Sequence, residues 1–366
     1  MRDRLYSLLR KIRGRFIDSL PFVKKTMKII LVCLLGFFLF FIFRVAVVVV
    51  KTRINATSLA MSLINADISS LDSYQNRTNF LLLGGGGEGH QGGDLTDTII
   101  FVSLDLRTAD VVLLSIPRDV WLDSLQAKIN TAYHYGEEKA TNEGFKLAKD
   151  SVKEIIGQPI HYAIFLDFDG FVKIVDLLGG LNIKVDRGFD DYKYPIPSKE
   201  NDECNGDKEY KCRYEHIHFN AGWQEMDGKT ALKFIRSRNA EGEEGSDFSR
   251  SQRQQKVILA VKDKLFSLKT FLNSQRILDL KNTFESHVRF NKDFNDKQIG
   301  ALLSLFIKFV RSKNELRTLS LDIGTEENPG FLSNPPISKY GQWVLIPTNS
   351  WEEIQKYLRE KIYKGY

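Results

Sequence analysis

Cysteine is scarce in this chain, with three residues in 366, one of them (Cys33) inside a long apolar run. A disulfide-stapled scaffold is thereby excluded. Cys204 and Cys212 lie in a polar, glycine-containing loop, where they can form a disulfide, remain free thiols or, with His216 and His218 nearby, hold a metal; the spacing fits no standard zinc-finger pattern. Histidine is almost as sparse. Six are scattered along the chain and none occupies a recognisable nucleophile motif, so no Ser–His–Asp constellation stands out. Basic charge is scarce wherever the chain can fold. The formal net charge is +6, from 52 Lys/Arg and 46 Asp/Glu, but residues 1–53 carry 12 and 2 of these, leaving 40 and 44 for the rest. A mildly acidic body presents no broad basic face, so nucleic acid is not an expected partner. No internal repeat or long low-complexity run appears.

What the chain does have begins with an apolar stretch, Ile29 to Val50, broken only by Arg44 near one end. Twenty-two residues suffice to span a bilayer as a helix, and a long arginine side chain can reach the interface from there. Nine Lys/Arg precede it in residues 1–28, which predicts a cytoplasmic N-terminus. The expected organisation is a basic cytoplasmic tail over 1–28, a transmembrane helix over 29–50, a stalk over 51–78, a main body over 79–270 and a C-terminal extension over 271–366. This places the protein in the cell membrane as a single-pass chain with its body outside the cytoplasm, in contact with membrane lipid.

The body alternates the two secondary-structure periods. Short β-branched or apolar runs predict strands at Phe80–Leu83, Thr98–Leu104, Asp110–Ile116, Tyr162–Leu166 and Leu181–Val185. Helical spacing predicts helices at Lys146–Ile156, Gly170–Leu178, Met226–Ile235 and Asp247–Leu268. The alternation argues for an α/β fold, a central mixed sheet between helices. Beyond residue 271, helices are expected near 297–310 and 351–362 and strands near 316–321 and 343–346, either completing the sheet or forming an annex. Gly84, Gly86 and Gly89 fit GxGxxG after a strand, yet the chain runs through HQGGDLTD into the next strand, with no room for the helix that a dinucleotide site requires.

Charge gathers around the last of these helices. Val257, Ile258, Val261 and Leu265 form one apolar stripe, which continues backwards onto Gln254 and Arg250 with Arg253 beside them. A cation aimed inward is costly unless paired, so an anion should sit there, and a helix N-terminus suits phosphate. Buried Arg–carboxylate pairs tying two helices together would leave the same pattern. Just upstream, Arg236 and Arg238 can point to the same place. Hairpin arithmetic adds two more groups: if residues 105 and 110 flank the turn, Asp97 lies across from Arg118, on the rim that the Gly84–Asp97 loop also reaches. A carboxylate, an arginine and a glycine-rich backbone could hold a metal-bound phosphate, although a surface Asp–Arg pair reads the same way. Arginines and aspartates without a nucleophile suit transfer from a phosphate or pyrophosphate donor.

The segments NFLLLG, LTDTIIFVSLD, VLLSIPRDVWL, KINTAYHYG, VDLLGGLNIKV, MDGKTALKFIRSR and DFSRSQRQQ, in this order over about residues 79–264, resemble the LytR-CpsA-Psr family of bacterial envelope transferases. The resemblance implies a catalytic body over 79–270 with a hydrophobic pocket for a lipid tail. The activity it implies is Mg-dependent transfer of a glycopolymer from a polyprenyl-pyrophosphate carrier onto peptidoglycan through a phosphodiester bond. By position, Asp97 is similar to the family's Mg-binding aspartate and Arg118 to the arginine of Ser-Ile-Pro-Arg-Asp. Arg236, Arg238 and Arg250 match its other catalytic arginines, and Arg253, Gln254 and Asn130 fall on its substrate-binding segments. Asp119 is a candidate either for base or for orienting Arg118. The family's second aspartate, after the first strand, is replaced here by Gly85 and Gly86; Asp94, then Glu88, are the nearest carboxylates in the loop. A polyprenyl-pyrophosphate hydrolase and a non-catalytic lipid-carrier or glycan-binding protein share these motifs.

Overall fold

The computed structural model describes residues 67–363, apart from 88–91, 142, 198, 200, 266–273, 312–315 and 325–329. The expectations for the basic tail, the apolar stretch and most of the stalk lie outside the described residues, as does Glu88. Among the described residues, no helix is long and apolar enough to cross a membrane.

The strands are β1 (Arg77–Gly85), β2 (Thr96–Asp105), β3 (Val111–Ser115), β4 (Trp121–Leu122), β5 (Ala127–Lys128), β6 (Tyr162–Asp167), β7 (Leu181–Val185), β8 (Phe189–Pro195), β9 (Tyr214–Phe219), β10 (Gly222–Met226), β11 (Val288–Phe290) and β12 (Arg317–Ser320). The helices used below are α1 (Ala132–Lys139), α2 (Glu143–Ile156), α3 (Phe168–Leu177), α4 (Gly228–Arg236), α5 (Asp247–Leu265), α6 (Ser274–His287), α7 (Asp296–Arg311) and α8 (Trp351–Tyr363). Six strands form one mixed sheet in the order β11-β6-β1-β2-β3-β12. Its centre is an antiparallel meander, β1–β2–β3, flanked by β6 parallel to β1 and β12 parallel to β3. Because β11 and β12 extend this sheet on its two edges, the residues after 271 complete the fold rather than forming an annex.

Side chains alternate across the sheet and bury both faces. Leu81, Leu83, Ile99, Phe101, Val112 and Leu114 pack with Phe145, Val152 and Ile155 of α2 and Ile354, Leu358 and Ile362 of α8. At zero exposure, Leu81, Phe101 and Leu114 each contribute about 1.5–3 kcal/mol of burial. On the opposite face, Phe80, Val102, Leu104 and Val111 line an apolar cleft of about 420 Å³ together with Leu302, Leu305, Phe306 and Phe309 of α7. A second core joins Val175, Leu181, Ile183, Phe189, Ile217, Phe219, Phe234 and Val257, from α3, β7, β8, β9, α4 and α5.

The body begins before Asn79. Arg77 opens β1 at 3% exposure and donates to Ser103 Oγ (2.8 Å) and Asp110 Oδ2 (3.1 Å), while Leu71 is buried upstream of it. The region between β7 and α4, read as a cysteine loop, contains two further pairings: β8 with β9, and β10 with β7. Cys204 and Cys212, within the β8–β9 connection, are disulfide-bonded.

Candidate active site

The β2–β3 register sets the first pair of groups. Leu104 pairs with Val111 and Ile100 with Ser115, a register that carries on to place 97 across from 118. Arg118 Nη1 forms an ion pair with Asp97 Oδ1 beyond the end of the ladder. Arg236, the last residue of α4, brings its Nη2 to 3.6 Å from Asp97 Oδ2 and lays its guanidinium 4.3 Å from the Phe168 ring centre. Arg238 and, from α5, Arg250 complete the ring. They enclose a pocket of about 140 Å³ whose other lining groups include Thr98, Lys193, Tyr214 and Asn239. Five cationic side chains against one carboxylate make this a site for a polyanion.

Two buried ionic anchors hold the arginines in place. α4 starts at Asp227, whose carboxylate accepts from Thr230 N (2.8 Å), and ends at Ser237, where the chain leaves helical geometry. From one side, the fully buried Asp191 carboxylate accepts from Ser237 Oγ (2.7 Å), Arg238 N (3.2 Å) and Asn239 N (3.2 Å). From the other, Arg253 donates to Phe234 O (2.9 Å), Ser237 O (2.8 Å), Glu244 O (2.8 Å) and Glu244 Oε2 (2.9 Å). Arg253 therefore satisfies carbonyls left over at the helix end and does not face the pocket, a correction to its reading as a substrate-binding group. Burial lowers its pKa, an effect opposed by Glu244.

Asp119 is also an anchor. At 3% exposure it accepts from Lys128 Nζ (2.8 Å) and Arg238 Nη2 (2.9 Å), with Arg118 Nε at 3.6 Å. Surrounded by three cations, it holds the Arg118 and Arg238 side chains beside each other. Gln254 spans Ser115 Oγ and Thr98 Oγ1, both at 3.3 Å, and so docks the first turns of α5 on the sheet. Ser246 caps that helix through Ser249 N (3.2 Å). Asn130 donates its N–H to Arg118 O (3.3 Å), and its Oδ1 and Arg118 Nε are buried without a hydrogen-bond partner among the described residues.

Besides Arg253, Gln254 and Asn130, two further sequence expectations do not line this pocket. Asp94 pairs with Arg289 Nη2 at 3.1 Å, both side chains being exposed, and is not among the residues lining the cavity. The glycine run serves packing: a Cβ on Gly85 would come within 3 Å of Leu95 O, Gly93 O and the Phe165 ring, so the loop can fold back on β1 only with glycine there. Conversely, the pocket also takes Lys193 and Tyr214 from β8 and β9, a region that reads as loop in the sequence, and Asn239 from just beyond α4. Phe189 and Asp191 alternate with their neighbours, but the register then shifts between Asp191 and Tyr194, which breaks the period-two signal of β8.

On β2, Thr98, Ile100, Val102 and Leu104 share one face, so the apolar cleft and the Thr98 end of the arginine pocket lie along the same side of the sheet.

The LytR_cpsA_psr family model matches residues 46–334. The polyisoprenyl-teichoic acid–peptidoglycan teichoic acid transferase TagU of Oceanobacillus iheyensis is 26% identical over 261 residues, covering 70% of this chain and 70% of that one. Its counterpart from Enterococcus faecalis is 28% identical over 228 residues, 61% of this chain and 64% of its own. The crystal structure of Bacillus subtilis TagV has the same fold, with a TM-score of 0.52 at 23% identity over 79% of this chain and 98% of that one. With a family model spanning most of its length, the chain belongs to the LytR-CpsA-Psr family.

Proposed function

We propose that this protein is a membrane-anchored transferase that moves a glycopolymer from a polyprenyl-pyrophosphate carrier onto peptidoglycan through a phosphodiester bond. One observation carries the reading: a pocket lined by five cations and an almost wholly apolar cleft lie along the same sheet face, as the head and tail of a lipid pyrophosphate require. The relatives named as teichoic acid transferases act on a substrate of this kind, which supports it.

In this reading Arg118, Arg236, Arg238 and Arg250 bind the pyrophosphate and neutralise the charge that grows on the bridging oxygen. A hydroxyl of the peptidoglycan acceptor attacks the phosphorus bearing the glycopolymer, the P–O–P bond breaks, and polyprenyl phosphate departs as the hydroxyl proton passes to it or to solvent. In this reading attack is direct, and the Arg118 and Arg238 guanidiniums, held by Asp119, need little reorganisation during it. Asp97, the one carboxylate lining the pocket, is the group that would hold Mg²⁺, which would supply further neutralisation of the pyrophosphate.

The test incubates the full chain in detergent with a synthetic polyprenyl-pyrophosphate oligosaccharide and peptidoglycan fragments, with Mg²⁺ or chelator, and follows products by mass spectrometry. A phosphodiester-linked conjugate, lost in Arg118→Ala and Arg236→Ala, is expected. Free sugar phosphate without conjugate would make the protein a hydrolase; bound, unchanged lipid would make it a carrier-binding protein.

A further inference from the structure

The β8–β9 hairpin carries exposed side chains beside the arginine pocket that the chemistry above does not use. Its register slips between the pairs Asp191–Ile217 and Tyr194–Glu215, so that Tyr192 and Lys193 together stand opposite His216 alone. An extra residue of this kind re-aims side chains. Here two consecutive residues turn outward. Lys193 goes to the pocket wall, and Tyr192, 55% exposed, lays its ring flat on His216, 4.2 Å between centres and 8° between planes. The bulge is pinned from beneath, since Lys193 N donates to Asp191 Oδ1 (2.9 Å) while Oδ2 of the same carboxylate accepts from Arg238 N. One buried group therefore fixes the hairpin against the pocket.

His216 is held in its turn. Asp190 Oδ1 lies 2.7 Å from His216 Nε2 and 2.8 Å from His218 Nδ1, and the other nitrogen of His218 is 3.1 Å from Asn220 Oδ1. Each imidazole can donate an N–H to the shared oxygen, which leaves Asp190 Oδ2 for a hydroxyl. The imidazole covers one face of the Tyr192 ring and the other face meets solvent. A ligand stacking on it finds a platform whose rotamer freedom is largely spent before binding. An aromatic face bordered by carboxylate and imidazole edges suits a sugar ring, which presents apolar C–H groups on one side and hydroxyls at its rim. A carboxylate at the centre of the surface disfavours a polyanion, in contrast to the cationic pocket next to it.

The platform is continuous with the pocket. On β9, Tyr214 and His216 share one face, about 7 Å apart, and Tyr214 lines the pocket. The hairpin contributes to the pocket wall and to none of the apolar cleft. In-line displacement brings the attacking oxygen in opposite the leaving group. With a lipid tail in the cleft, an acceptor enters along the wall that the cleft does not use. We propose that the bulged β8–β9 hairpin binds the acceptor glycan strand of peptidoglycan, with Tyr192 stacking on one of its sugars and Asp190 and His218 bonding hydroxyls. This rests on the transferase reading above and deepens it by giving the acceptor a surface.

Titration of the full chain in detergent with peptide-free peptidoglycan glycan fragments, without donor lipid and followed by ligand-observed NMR, tests the surface. Thermal melting serves as a fold check on each variant. Tyr192→Ala should weaken fragment binding by about tenfold or more, His216→Ala by about threefold, and Tyr192→Phe should stay within about twofold of wild type. Tyr74→Ala, which removes a 46% exposed ring beside Arg77 at the far end of β1, should bind as wild type does. In the transfer assay, Tyr192→Ala should raise the fragment concentration giving half-maximal rate by a similar factor and leave that of the donor unchanged. Fragment binding that Tyr192→Ala leaves undiminished, or no fragment binding by wild type, overturns the proposal. So does a loss confined to donor affinity, which would give the hairpin to the donor's own glycan. Fragment binding that depends on Tyr192 without any conjugate formed would instead sink the transferase reading and leave a glycan-binding surface.

Discussion

Replacing Arg253 by alanine separates the arginines that hold the fold from those that serve the pocket. The side chain is 3% exposed and makes four hydrogen bonds of 2.8–2.9 Å to Phe234 O, Ser237 O, Glu244 O and Glu244 Oε2. Each buried acceptor left without its donor costs about 1–3 kcal/mol, and some will regain water through the space vacated. A net loss of about 3–5 kcal/mol follows, the range found when one partner of a buried charge pair is removed. For a body of this size about 2 °C of melting temperature accompanies each kcal/mol, so Arg253→Ala should melt roughly 6–10 °C below wild type. Arg253→Lys should fall between, because an ammonium cannot span two carbonyls as a planar guanidinium does. Arg118→Ala is the contrast. Its side chain is 23% exposed and its ion pair with the likewise part-exposed Asp97 faces the pocket, so its loss should cost no more than about 1 kcal/mol while abolishing transfer. Scanning calorimetry or thermal fluorescence of the two variants beside wild type decides the matter. Arg253→Ala melting with wild type, or Arg118→Ala melting as low as Arg253→Ala, would refute the division.

Gly228→Ala should lower stability by about 1–3 kcal/mol, seen as a reduced urea midpoint, since a Cβ there would stand 2.2 Å from Val172 O and push α4 off α3. Removing the disulfide by Cys204→Ser with Cys212→Ser should cost on the order of 2.5 kcal/mol for so short a loop, and reductant should lower the melting temperature of wild type but not of the double variant. Acid should unfold the protein in part through Asp110. Burial raises its pKa, but Arg317 and Arg77 outweigh this and hold it below the ordinary value. Its folded pKa being depressed, its contribution is complete above about pH 4 and is lost as pH falls further, so Asp110→Asn should flatten the pH dependence of the urea midpoint below about pH 4.

Several features of the site are visible without coordinates because they depend on neighbours in sequence. The turn between residues 105 and 110 sets the β2–β3 register, and the register alone puts Asp97 opposite Arg118. The apolar stripe on α5 is local as well, and following it backwards shows that Arg250, Arg253 and Gln254 turn inward, as they do. Other features depend on partners far along the chain. Asp94 looked available until Arg289, 195 residues away, paired with it. Phe189 to Pro195 gave a weak strand signal, because its pairing partner β9 lies beyond an interrupting disulfide loop.

By itself, then, the sequence determined the strand and helix periods, the hairpin that joins Asp97 to Arg118, and the inward turn of the cations at the start of α5. Local sterics and the cost of exposing apolar surface set these within one or two elements. Tertiary structure alone decided how each inward cation is satisfied. Arg253 meets the carbonyls at the end of α4, whereas Arg118, Arg236, Arg238 and Arg250 line a cavity, and that difference rests on long-range packing of α4, α5 and β8. A buried charge requires a partner, but the chain reveals which partner only once it is folded.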